Sequence, residues 1–295
     1  MAAENSRSDW SAYAYLFPVL SILVFFQVMP IVYSLAVSFY SWDLIGDPEW
    51  VGIGNFTRLF NDPMFYKSLY NTFLYAVISV PLGIFCSLSI AMLLNNPISG
   101  IGFYRTIYFI PVITSINAVA IVWNLIYHPD PNVGLLNKVL NIFGADPQTW
   151  LQDARLALLC IIVMSVWKGL GYNVIIFLAG LQNIPKHLYE AARIDGATTW
   201  QQFRHITWPM LSPTTFFVFV MSTIGSFQVF SQIYMMTPRG GPLKSTMVVV
   251  FYLFQKAFEK FEFGYALAIA FVLFVMIFGM TLFNKLYLEK KVHYS

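Results

Sequence analysis

The chain has 295 residues, 58% of them hydrophobic and 11% charged, with a net charge of +3 and a mean hydropathy of +0.65. Soluble domains carry about 25% charged residues, so a water-exposed surface of ordinary size is excluded, and the small, scattered positive charge argues against a nucleic-acid partner. Crossing a bilayer as a helix takes roughly 20 predominantly apolar residues, and the chain offers several such stretches.

In chain order, Arg7 precedes a run from 10 to 42 without a charged residue. That is far longer than a secretory signal core and lacks a small-residue cleavage site, so it is expected to remain as an anchor. The apolar runs and their charged flanks predict six spans, at 13–39, 73–94, 107–127, 156–181, 210–236 and 264–283. Pro18, Pro30, Pro81, Pro111, Gly169, Gly171 and Gly225 fall inside them, which membrane helices tolerate because neighbours satisfy the freed backbone groups. The run 247–254 is too brief to span and is followed by Lys256, Glu259 and Lys260; it reads as a surface helix or loop. Cys86 and Cys160 lie in apolar stretches and read as small buried hydrophobes. Tyr, Trp and Phe at span ends read as interfacial anchors.

Six spans put both termini on one side with the loops 95–105 and 182–205. Lys and Arg tally equally on the two sides, but the termini side has the shorter loops and the higher basic density, which leans toward cytoplasmic termini. Four segments follow: an N-terminal stretch 1–12, a first helix with its loop 13–70, a core 71–285 containing a loop 182–209, and a C-terminal stretch 286–295.

Within that loop, Asn183 with Pro185 predicts a helix start, Gly196 its left-handed end, and Thr198 with Gln201 a capping box opening a second short helix before Pro209. Lys186, Glu190 and Arg193 can form a charged stripe, with Ala191 and Ala192 leaving room for another surface. Small residues beside charges suit docking into a partner's groove. On composition alone, a solvated loop helix whose charges avoid lipid is the plainer reading.

The spacing goes further. Glu190-Ala191-Ala192, then Gly196, Ile206 and Pro209, resembles the motif of binding-protein-dependent ABC permeases, with Trp208 where leucine is usual. Ile184-Pro185, Ile194-Asp195-Gly196-Ala197 and Gly240-Gly241-Pro242 extend the resemblance, and the stretch from Trp50 to Phe56 is similar to the family's carbohydrate branch. The resemblance implies an all-α integral membrane protein with the six transmembrane helices of the type I importer permease fold. It implies a multi-pass subunit of the bacterial cytoplasmic (inner) membrane with both termini cytoplasmic. Its implied partners are a second homologous permease, two copies of a cytoplasmic ABC ATPase and an external solute-binding protein. The loop becomes the coupling helix seated on the ATPase, with Glu190, Ala191, Ala192, Asp195 and Gly196 as coupling residues, Glu190 meeting a basic group and Gly196 permitting the turn.

No G-x-x-x-x-G-K-[ST] phosphate loop occurs in the chain, so ATP and Mg are expected on the partner ATPase and no cofactor on this chain. The six spans contain no Asp or Glu, which argues against an ion-coupled carrier. Lys168 is the one ionisable residue placed within a span, where a charge costs about 2.5–3.5 kcal/mol on insertion scales; it is either a functional group or a lysine bonded to backbone carbonyls. Resemblance to maltose-type permeases places Lys168, Gly169, Tyr172, Ser222, Gly225, Ser226 and Val229 at solute-pathway positions, with Asn173 and Gln228 nearby. Hydroxyl and amide groups beside aromatic faces suit a polyol, whereas the small residues read equally as helix packing. The turn 239–242 is expected outside, facing the binding protein. The expected function is permeation of a sugar or sugar-like solute without enzymatic activity. The alternatives are another solute class (glycerol phosphate, a compatible solute or an oligopeptide), an intramembrane enzyme, for which H-E-x-x-H spacing and paired acids are missing, and a structural scaffold.

Overall fold

The computed structural model describes residues 5–96 and 99–288. Parts of the segments expected at 1–12 and 286–295, namely 1–4 and 289–295, lie outside the described residues. The fold is helical, and the described residues include 4 helices long and apolar enough to cross a membrane, or up to 6 if each of two bent pairs is one span.

The first span, α1 (Tyr13–Val37), has no buried residue in its apolar window. A two-stranded antiparallel ribbon follows, β1 (Tyr40–Ser41) pairing Tyr40 with Trp50 of β2 (Glu49–Trp50), then the short α2 (Gly54–Phe60). Helix α3 (Pro63–Leu94) begins at Pro63, earlier than the expected 73, because proline suits a first helical turn and Phe65, Ser68, Asn71 and Thr72 face protein. Its 32 residues make about 48 Å of helix at 1.5 Å per residue, longer than the roughly 30 Å hydrocarbon core, so one end projects.

The third expected span is not continuous. Helices α4 (Ile101–Ile113) and α5 (Ile116–Ile126) meet at 103°, because Thr114 and Ser115 take extended ψ values of 139° and 138° just after Pro111. A short helix α6 (Leu135–Ile142) leads to the long α7 (Ala157–Gln182). The elbow is α8 (Lys186–Ile194) and α9 (Thr199–Met210). The next helix, α10 (Ser212–Phe227), is bent 64° from α9, and the chain leaves the helix at Gln228 before α11 (Ser231–Met236), so the fifth expected span is also interrupted. Helices α12 (Val249–Phe254) and α13 (Phe263–Phe283) follow.

The run 247–254 is not a surface segment. Met247, Val248, Val249 and Phe251 are at most 1% exposed, because polar hooks from α3 hold it inside: Asn71 Nδ2 donates to Lys244 O (3.1 Å) and Met247 O (2.9 Å), and Thr72 Oγ1 accepts from Val249 N–H (3.0 Å).

The chain forms two compact units, one of residues up to Asp62 with Leu253–Phe274, the other of Pro63–Tyr252 with residues from Val275. In the first, Asn55 Nδ2 ties Ser38 O (2.8 Å) and Tyr40 O (2.9 Å). There Glu262 also receives Arg58 (2.7 Å) and Lys256 (3.1 Å). In the second, α3, α7 and α10 share a core in which Ala91, Val174, Phe177 and Leu211 are fully buried. Backbone approach there is close: a Cβ on Gly171 would lie 2.3 Å from Tyr108 O of α4, and one on Gly180 2.6 Å from Thr214 Oγ1 of α10. Membrane helices use small residues in this way to pack tightly.

Candidate functional site

Three helices of the second unit enclose a cleft of about 320 Å³. From α3 come Tyr75, Ser79 and Gly83, from α7 Ser165, Gly169, Tyr172 and Asn173, and from α10 Ser222, Gly225 and Ser226, with Gln232 of α11. On α3 and α7 the lining residues recur four apart, so each helix turns one face to the cleft. A Cβ built on Gly83, Gly169 or Gly225 would meet nothing within 4 Å, unlike Gly171 and Gly180. These three glycines therefore widen a space, and packing against a neighbouring helix does not account for them.

Of the positions expected along the solute path, Gly169, Tyr172, Asn173, Ser222, Gly225 and Ser226 meet in this cleft. The other three do not line it. Lys168 points away, its Nζ donating to Pro111 O (2.6 Å) and Val112 O (3.0 Å). Those carbonyls end α4 at the break, where the missing next turn leaves them without intrahelical donors, so the ammonium caps a broken helix. Gln228 is exposed past the end of α10, and Val229 is buried at 4% exposure. Sequence reasoning missed the α3 face and Ser165, although Tyr75, Ser79 and Gly83 stand at i, i+4 and i+8.

Below the cleft, α8 ends in a Schellman turn: Ala197 N–H reaches Ala192 O (2.8 Å) and Gly196 N–H reaches Arg193 O (3.1 Å), with Gly196 left-handed at φ 78°. Thr198 and Gln201 form the capping box of α9. Asn183 caps the end of α7 instead of starting α8, whose N-cap is Pro185. Leu188 and Tyr189 press on the shared core, and Tyr189 OH lies 2.9 Å from Thr207 Oγ1. Lys186, Glu190, Ala191, Arg193, Asp195 and Gly196 are exposed, and Ala192 is half-buried. Ile194 and Trp200 flank the turn at 87% and 66% exposure. The elbow thus presents a mixed charged and apolar face outward while its inner face rests on the helices that wall the cleft.

At the other end of α7, Arg239, Gly240, Gly241, Leu243 and Lys244 all have positive φ, a conformation that costs non-glycine residues roughly 1–2 kcal/mol each. The loop is held by Lys67 Nζ on Leu243 O, Asn71 on Lys244 O, Lys244 Nζ on Arg239 O (2.7 Å) and Thr246 Oγ1 on Thr237 Oγ1 (2.7 Å). Leu243 stands at its tip, 81% exposed.

A model of the family described as binding-protein-dependent transport system inner membrane component matches residues 64–293. The chain belongs to that family. The permease is 40% identical to the probable ABC transporter permease protein YesP of Bacillus subtilis, over 95% of its own length and 92% of the relative's. It is 35% identical to the lactose transport system permease protein LacF of Rhizobium radiobacter, over 93% and 95% respectively. Among solved structures, a chain of a bacterial ABC transporter involved in the import of the acidic polysaccharide alginate matches with a TM-score of 0.81 at 25% identity, covering 95% of each chain. The permease therefore has the fold of an ABC importer permease and is a multi-pass membrane protein.

Proposed function

We propose that this permease is the membrane-spanning subunit of an ATP-driven importer that moves a sugar or sugar-like solute into a bacterial cell. The observation that carries the reading is the cleft itself, which joins hydroxyl and amide groups with Tyr172 and three glycine-made gaps, a lining that suits a polyol with apolar ring faces. The lactose and alginate systems named among its relatives are consistent with that class. A phosphate ester fits less well, because no basic side chain is among the residues lining the cleft and Lys168 of α7 is engaged on α4 carbonyls.

A second permease faces the open side of the cleft, and the elbow with both termini is cytoplasmic. Two copies of an ATPase bind ATP and Mg, and each permease docks one of them through Glu190, Asp195 and the exposed Ile194 and Trp200. Closure of the ATPases is passed through Leu188 and Tyr189 into α3, α7 and α10, a rigid-body switch between two states of one assembly. The strained loop 239–244 meets the external binding protein. The test is to co-purify the complex, reconstitute it in liposomes and assay ATP hydrolysis with binding protein and a solute panel. Stimulation by one sugar is expected; stimulation by glycerol phosphate alone, or transport by the permease without an ATPase, overturns the reading.

A further inference from the structure

Helix α6 buries an amide and exposes an apolar arc, with Lys138 and Asn141 also exposed and Leu136 and Leu140 half-buried. Asn137 is 0% exposed, whereas Leu135, Val139 and Ile142, with Phe143 just beyond the helix, are 56%, 42%, 80% and 81% exposed. At 3.6 residues per turn these four fall within an arc of about 100°, opposite Asn137. The buried amide fixes that orientation. Its Nδ2 donates to His128 O (3.1 Å), Pro129 O (2.9 Å) and Gln148 O (2.9 Å), and its Oδ1 accepts from Gln148 N–H (3.0 Å) and Trp150 Nε1–H (2.9 Å). Turning the apolar arc inward would break all of these, and a buried amide without partners is costly.

The same network sets the depth of α6. Trp150 packs on Tyr127 (5.9 Å between ring centroids) and Tyr127 on Trp123 (5.3 Å), and Tyr127 is itself 3% exposed with its hydroxyl donating to Cys160 O (3.1 Å), so these rings fix α6 to the end of the α5 span. Just before it, Ile121, Val122 and Leu125 of α5 are each 54% exposed, so an uncovered apolar surface runs up to the level at which Trp150 holds α6.

We propose that α6 is an interfacial anchor. Its Leu135, Val139, Ile142 and Phe143 lie in the boundary between acyl chains and headgroups of a phospholipid leaflet, on the side away from the elbow, and Lys138 beside the arc reaches the phosphates. The inference needs the chain to be membrane-embedded and is independent of which solute it carries.

The test places the photo-crosslinker p-benzoylphenylalanine at position 143, and separately at 142, in the complete transporter with its binding protein in phospholipid nanodiscs. The expected product is the permease heavier by one phospholipid. A protein adduct with the binding protein or with another permease overturns the proposal, as does photoreduction without any adduct. A second measurement attaches bimane to Ile142→Cys, with the parent protein giving the background from Cys86 and Cys160. A probe seated at the depth proposed is quenched by doxyl-labelled lipid at least about threefold more than by aqueous iodide; the reverse order refutes it.

Discussion

Replacing Lys168 with methionine keeps the length and most of the volume of the side chain but removes both hydrogen bonds to α4, leaving Pro111 O and Val112 O at the break without their donor. A hydrogen bond from a charged group contributes about 1.5–3 kcal/mol, and an orphaned buried carbonyl costs about 1–3 kcal/mol. The two bonds are only partly buried, so water recovers some of the loss. The cost of holding a charge at that depth is present in the inserted unfolded chain as well and largely cancels. The expected destabilisation is about 2–4 kcal/mol, or a fall in Tm of roughly 5–10 °C in nanodiscs, with Lys168→Arg losing less because its fork still donates. Solute-stimulated ATP hydrolysis by the surviving folded fraction should keep its half-saturating solute concentration. If Lys168→Met leaves Tm unchanged and instead shifts that concentration tenfold, the ammonium contacts solute and the capping argument fails.

The glycines separate stability from transport. Gly171→Ala drives a Cβ to 2.3 Å from Tyr108 O and should cost about 1–3 kcal/mol by overpacking, seen as lower folded yield. Gly169→Leu enters open space, so it should leave Tm nearly unchanged while lowering solute-stimulated ATP hydrolysis. At Gly196, where φ is 78° and no neighbour crowds a Cβ, Gly196→Asn should be mild and Gly196→Val should cost about 1–2 kcal/mol locally and uncouple ATP hydrolysis from uptake without loss of the folded bundle. Asn71→Leu leaves Lys244 O and Met247 O without their amide donor; a loss of about 2 kcal/mol and faster proteolysis at 239–244 are expected.

Much of this architecture was legible because membrane insertion writes itself into composition. The apolar runs gave the spans, and the capping box at Thr198 and the left-handed Gly196 gave the elbow, since turn chemistry is local. The breaks after Thr114 and Gln228 were hidden, because Pro111 and scattered glycines are tolerated in unbroken membrane helices as well. The run 247–254 was misplaced for a related reason: a short apolar segment looks alike on a surface and inside a protein, and what buries it is Asn71 and Thr72, more than 170 residues away along the chain. For Lys168 the chemistry was legible as two alternatives, and the carbonyls at the break were needed to place the ammonium. The cleft was half visible: its α7 and α10 faces came through family resemblance, whereas the periodic Tyr75, Ser79 and Gly83 were present in the sequence and passed over.

The bare apolar window of α1 has an effect on how this molecule tolerates change. A window that buries nothing among the described residues is judged by the bilayer on greasiness and length, so exchanges such as Leu20→Ile or Val32→Leu should be silent in folding. Shape-sensitive discrimination at that segment can come only from whatever docks beside it, which makes α1 a natural place for related transporters to drift in sequence while the interlocked helices hold still.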